Sequence, residues 1–224
     1  MADGFWQGKV NAERYNNCHA ISRSGEIPDY LSFLELAPSD RFVDFGCGKG
    51  DFLAQAAEQV AQALGIDATP HQIELARQAL RDKPNVELIQ ADLATWEPGD
   101  RAFTKGSARK SLHHLTDEKK EVFFERMGRH FVEGGLFLIE DGMFPFRREE
   151  LSQRMKGILI EAAAFYRERW PVIERDFISC HEEEFPTGIE ALEGFLHGGG
   201  FEILFSTPIT SFYGRILARK NRKD

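Results

Sequence analysis

Hydrophobic and polar positions along the chain fall into two rhythms that take turns. Phe42 and Val43 form a short apolar run of the kind that ends a buried strand. Leu53, Ala56, Ala57 and Val60 then recur at i, i+3, i+4 and i+7, the spacing of one helix face. Ala63 to Asp67 reads as a second strand, followed by Thr69, Pro70 and Gln72 as a helix start: cap, first-turn proline and N3 side chain. Val86 to Leu93 is a third strand and its exit. Thr116 caps a helix with Val122, Phe123, Met127 and Phe131 among its apolar positions, which Gly134 and Gly135 are expected to end before a fifth strand, Leu136 to Ile139. Strands alternating with helices predict an α/β protein with a parallel sheet.

The rest of the chain changes character. Arg148 to Trp170 reads as one long helical segment, with Leu151, Met155, Ile158, Ala162 and Phe165 on one stripe and Leu159, Ala163 and Tyr166 widening it. So broad an apolar face calls for two neighbours. Thr187 to Glu190 has the form of a capping box, and Gly198 to Gly200 ends the helix it opens. Phe201 to Phe205 and Phe212 to Ala218 are two further strands. The six residues between them are too few for a crossover, so this pair is antiparallel.

The fourth strand breaks the pattern. Residues 102–112 read AFTKGSARKSL, and Lys105, Arg109 and Lys110 do not suit a strand buried on both faces. Two accounts remain open. Arg109 and Lys110 face a site at the carboxyl end of the sheet and bind an anionic substrate, or the strand is distorted and its charged ends reach water.

Composition narrows the classes of function. A chain of 224 residues suits one domain, and 42% hydrophobic with 29% charged residues is ordinary for a globular protein. A formal charge of −8 argues against nucleic-acid binding, and no apolar run is long enough for a membrane span or a signal peptide. Cys18, Cys47 and Cys180 are scattered and odd in number, which suits a cytoplasmic protein and gives no metal-ligand spacing. Cys180, His181 and Glu182 stand together, but no second cluster at ligand spacing accompanies them, so no metal is expected. His181 is a candidate substrate contact.

The chemistry concentrates at Arg41 to Asp51, RFVDFGCGKGD. Gly46, Gly48 and Gly50 alternate between a strand and a helix, where glycine permits positive φ and lets a ligand approach the main chain. Asp51 stands where a dinucleotide site would want its third glycine, and Asp44 precedes the turn. A carboxylate there suits an ammonium group better than a pyrophosphate, which points to S-adenosylmethionine. Asp67, at the end of the second strand, can accept from ribose hydroxyls, because Thr69 is expected to cap the next helix and leave it free.

VDFGCGKG resembles the first motif of the class I S-adenosylmethionine-dependent methyltransferases. The resemblance is strong over 41–115 and 186–219. It implies a Rossmann-like three-layer sandwich, a seven-stranded, mostly parallel sheet with an antiparallel C-terminal hairpin. It implies that Asp44, Gly46, Cys47, Gly48, Gly50, Asp67, Ala68, Asp92 and Leu93 bind the cofactor, with Asp92 and the Leu93 N–H on the adenine. The 1–40 arm would act as a lid, with Tyr15 touching the cofactor, and 145–185 would be a helical insertion over the active site. Ser111-Leu112-His113-His114-Leu115 is similar to the histidine-pair ending found in small-molecule members.

Methyl transfer from a sulfonium needs the acceptor held at near-attack distance, and a base only where the acceptor arrives protonated. His114 and His113 are the candidate bases, and Arg109, Lys110, Asp141 and His181 the candidate substrate contacts. The expected activity is methylation of an O, N or S nucleophile of a small molecule, an anionic one if Arg109 and Lys110 face the site, by a monomer or homodimer. The alternatives are a non-catalytic S-adenosylmethionine-binding regulatory protein and, with less support, a nicotinamide-dependent oxidoreductase.

Overall fold

A computed structural model describes residues 30–222. A seven-stranded sheet runs in the order β3-β2-β1-β4-β5-β9-β8. The strands are β1 (Arg41–Phe45), β2 (Gln62–Asp67), β3 (Val86–Gln90), β4 (Phe103–Arg109), β5 (Phe131–Asp141), β8 (Phe201–Thr210) and β9 (Tyr213–Lys220). β1 to β5 pair in parallel, and β9 pairs antiparallel with both β5 and β8. The expected α/β sandwich with its closing hairpin is therefore present. The short strands β6 (Met143–Phe144) and β7 (Thr187–Gly188) form a separate parallel pair.

Strand alternation sorts the core into two layers. Val43 and Phe45 face a cluster with α3 (Asp117–Gly128) and α6 (Ile189–Gly198), built on Phe123, Met127, Leu192 and Leu196. Phe42 faces the other cluster, with α1 (Asp51–Ala56), α2 (Pro70–Ala79), Tyr30 and Leu34. Asp44 shares the Phe42 side of β1. A third cluster, Phe144, Ile158, Ala162, Phe177 and Phe212, lies beneath α4 (Leu151–Tyr166) and α5 (Trp170–Glu183).

Several boundaries differ from the sequence pattern. The first helix ends at Ala56, and Val60 lies beyond it, because the Asn85 side chain donates to the carbonyls of Ala57 and Val60 and turns the chain back. α3 stops at Gly128, and Phe131 begins β5. A Cβ on Gly128 would meet the Gly199 carbonyl at 1.9 Å, so this helix end abuts the end of α6. The segment expected as one helix over Arg148 to Trp170 holds α4, which ends at Tyr166; Arg167, with a φ of 52°, breaks it, and α5 begins at Trp170. Thr187 forms no capping box; its hydroxyl donates to Asp117 Oδ2 while Gly188 precedes the helix.

The fourth strand lies paired between β1, over Lys105 to Ala108, and β5, with an irregularity at Phe103/Lys105. Ser107 and Arg109 on it have partners across the sheet. Ser107 donates to Asp44 Oδ1 at 2.6 Å, and Arg109 pairs with Glu140 at 3.2 Å.

Candidate active site

The candidate residues lie along one edge of the sheet because β1 to β5 are parallel and all end on the same side. At the β1 end, Gly46, Gly48 and Gly50 have φ of 79°, 53° and 87°. Their reasons differ. A Cβ on Gly46 would meet Ser111 Cβ at 2.2 Å, whereas one on Gly48 would meet nothing within 4 Å. The turn thus packs closely against the β4 exit on one side and is open at its centre. Gly46 and Cys47 both donate to the Ile66 carbonyl, and the buried Cys47 thiol is pushed up by burial.

Asp44 is 2% exposed and accepts from Ser107. Burial raises its pKa from an ordinary 3.8 to about 7, with the Ser107 hydroxyl and Arg109 opposing the rise. At the end of β2, Asp67 Oδ2 accepts from the Gly48 N–H and Oδ1 from the Thr69 N–H, at 2.9 and 2.8 Å. The expectation that Thr69 caps the helix and leaves Asp67 uncommitted is corrected here. Thr69 makes no side-chain cap bond, and Asp67 ties the glycine turn to the start of α2. Burial raises the Asp67 pKa, while those N–H groups and the charge of His114 oppose it, which places His114 within electrostatic reach. Ala68 is the half-buried residue between Asp67 and Thr69. Asp92, beyond the edge strand β3, is exposed and accepts from Ala94 N–H, and Leu93 is buried with its carbonyl accepting from Arg126. Tyr15 and most of the 1–40 arm lie outside the described residues.

After β4, Lys110 takes a positive φ of 55° and its N–H donates to the Glu140 carbonyl. Its ammonium lies 5.6 Å from the centroid of the Tyr213 ring. Arg109, with Arg215 and the Tyr213 hydroxyl, surrounds the buried Glu140 carboxylate. Burial would raise the Glu140 pKa, but those guanidinium groups outweigh it and hold it below the usual range.

A short 3-10 turn, Leu112–His114, carries the histidine pair. Asp141, at the end of β5, accepts from the N–H groups of Ser111 and Leu112 and contacts His113 Nδ1 at 2.5 Å. Buried and fully engaged in this way, Asp141 shapes the turn. On its other side His113 Nε2 lies 3.2 Å from Glu184 Oε2, and His114 Nδ1 lies 2.7 Å from that same oxygen. Burial disfavours charge on His113, but Asp141, Cys180 and Glu184 outweigh it and hold its pKa well above the ordinary value. His114 is the more exposed of the two, with a side chain 30% accessible against 9%.

Glu184 and Cys180 were missed as partners of this pair. Their i, i+4 spacing at the end of α5 was a signal, but the charged run Glu182 to Glu184 reads as an exposed helix end. Glu184 is in fact 7% exposed. The segment after it is clamped: Arg148 donates to the carbonyls of Glu184 and Pro186, Phe185 N–H donates to the His113 carbonyl, and Lys120 Nζ donates to Phe185. His181 is buried beside Phe144, Phe177 and Phe212, and its Nδ1 contacts the Phe177 carbonyl at 2.7 Å. Burial lowers its pKa to about 4.

Among known proteins, the model of a family described as a methyltransferase domain matches residues 42–135. The trans-aconitate 2-methyltransferase of Azoarcus sp. (strain BH72) is 31% identical over 141 residues, 61% of this chain and 51% of that protein. The enzyme of the same name from Klebsiella pneumoniae (strain 342) is 38% identical over 157 residues, 69% of this chain and 58% of that protein. The chain thus spans about half the length of such curated relatives. In fold it is similar to the Haemonchus contortus phosphoethanolamine N-methyltransferase 2, solved with phosphomonomethylethanolamine and S-adenosylhomocysteine. The TM-score is 0.74 at 15% identity, covering 98% of this chain and 59% of that one.

Proposed function

We propose that this chain, which belongs to the class I S-adenosylmethionine-dependent methyltransferase family, transfers a methyl group to an O, N or S nucleophile of a small anionic molecule. One observation carries the reading: Asp44, Asp67 and Asp92 follow one another at the ends of β1, β2 and β3, neighbours in the sheet, around a positive-φ glycine turn. The donor set fits the cofactor. Asp44 is a buried carboxylate whose ionised form an ammonium group would stabilise. Gly48 leaves an approach with no atoms where a side chain would stand. Asp67, accepting the Gly48 and Thr69 N–H groups, stands at the end of β2 where ribose hydroxyls would meet a carboxylate. Asp92 and Leu93 would meet the adenine, and Tyr15 would belong to the lid.

When bound, S-adenosylmethionine supplies an activated methyl group that a nucleophile displaces in line from the sulfonium. The chain's own task is to orient the acceptor and receive its proton. His114 suits the proton acceptor's role, being partly exposed, with Nδ1 2.7 Å from Glu184 Oε2. His113, held between two carboxylates, orients the turn. Lys110 and Arg109 stand at the end of β4 as anchors for an anionic acceptor. Trans-aconitate and phosphomonomethylethanolamine, named with the relatives, are anions of this kind. Two of the polar residues of the fourth strand are held within the fold, Ser107 by Asp44 and Arg109 by Glu140.

Calorimetric titration with S-adenosylhomocysteine tests the reading. The expected result is one site per chain, weakened at least about tenfold by Asp67→Ala, which at roughly 1.4 kcal/mol is the loss of one hydrogen bond to a charged group. A panel of polycarboxylates and phosphomonoesters, followed by S-adenosylhomocysteine release, then finds the acceptor. No binding at millimolar ligand would overturn the proposal.

A further inference from the structure

We propose that His113, Cys180 and Glu184 form a binding site for Zn²⁺, with His114 beside its fourth position. One donor atom from each of the three lies within 4.8 Å of the other two. They come from separate parts of the chain: the turn after β4, the last turn of α5, and the residue that follows it. Glu184, in extended backbone just past the helix, brings its carboxylate to the same centre as the Cys180 thiol.

The surroundings are those of a metal site. His113 turns Nδ1 to Asp141 at 2.5 Å, leaving Nε2, 3.2 Å from Glu184 Oε2, for the centre. A carboxylate on the outer nitrogen is how metal-bound histidines are held and kept in one tautomer. The Cys180 thiol also interacts with His113. The chain carrying Glu184 is fixed by Arg148, Lys120 and the His113 carbonyl, so the carboxylate is placed before any ion arrives. Two imidazoles, a thiol and a carboxylate together are borderline-to-soft donors, which suits Zn²⁺ and does not suit Mg²⁺ or Ca²⁺. Three protein donors with the fourth position open match the open form of zinc coordination, and His114 Nδ1, 2.7 Å from Glu184 Oε2, borders that position.

This proposal does not depend on methyl transfer, and its test reads metal alone. The full chain is stripped with chelator and titrated with Zn²⁺ against a chromophoric competitor, and separately with Co²⁺. One equivalent of Zn²⁺ should bind, and Co²⁺ should produce a thiolate-to-metal charge-transfer absorption in the near ultraviolet. Cys180→Ser should abolish that absorption and Cys47→Ser should leave it. Asp141→Asn, acting through His113, should weaken Zn²⁺ by about 10- to 100-fold. S-adenosylhomocysteine binding, measured on the same samples, reports folding and bears separately on the functional reading. If the wild-type chain binds no stoichiometric Zn²⁺, the proposal falls, whatever the variants do. An absorption that survives Cys180→Ser overturns it equally.

Discussion

His113 Nδ1 lies 2.5 Å from Asp141 Oδ1, and both side chains are buried. Asp141 also accepts from the N–H groups of Ser111, Leu112 and Gly142, so one carboxylate sets both the imidazole and the turn that carries it. Asp141→Ala would leave those donors and a buried imidazolium without their partner. A loss of about 3–5 kcal/mol is expected in urea unfolding, the scale for breaking a buried charge pair. A loss below about 1 kcal/mol would show that the turn holds without it.

Asp44 gives a pH dependence with a definite sign. Its native pKa is raised from 3.8 to about 7, so the folded chain binds a proton that the unfolded chain releases in that interval. Stability should therefore fall as pH rises from about 4 to about 7, by on the order of 4 kcal/mol at the upper limit. Asp44→Asn should flatten that slope. An ammonium ligand favours the ionised form, so S-adenosylhomocysteine affinity should rise by up to about tenfold per pH unit until about pH 7 and then level off. A flat affinity profile in the wild type would remove Asp44 from the ammonium site.

The glycines of the turn should respond differently to alanine. At Gly46 a Cβ meets Ser111 Cβ at 2.2 Å, so Gly46→Ala is expected to destabilise by about 2 kcal/mol or more in thermal unfolding, from overpacking and positive φ together. At Gly48 the space is open, so Gly48→Ala bears only the left-handed backbone cost of about 1–2 kcal/mol while blocking the ligand's approach. Cofactor affinity should drop in that variant with the melting temperature only modestly lowered.

Lys110 separates backbone from side chain. Its φ of 55° disfavours any residue with a Cβ, so Lys110→Gly should be more stable than Lys110→Ala by about 1 kcal/mol. Both should raise KM for an anionic acceptor to the same extent, with cofactor affinity unchanged, if the ammonium is what meets it. A KM change confined to one of them would assign the effect to the loop.

Much of this molecule is legible in its sequence. Strand periodicity, the helix signals at Thr69-Pro70 and Thr116 and a link before the last strand too short for a crossover, two residues in the structure where six are expected, specify a parallel sheet closed by an antiparallel pair, because each depends on neighbours in the chain. The glycine turn and the acids at Asp44, Asp67 and Asp92 are legible for the same reason: strand ends locate them on one edge. Tertiary structure decided what those side chains do. Asp67 bonds Gly48 across 19 positions, Ser107 meets Asp44 across 63, and Glu184 reaches the histidine pair from the far end of α5. The charge on Arg109 made the end of β4 look unlike a buried strand, since a single sequence shows the cost of burying a charge and conceals the partner that offsets it. Local order follows from spacing along the chain, and the chemistry of the site follows from which distant segments the packed sheet and helices bring face to face.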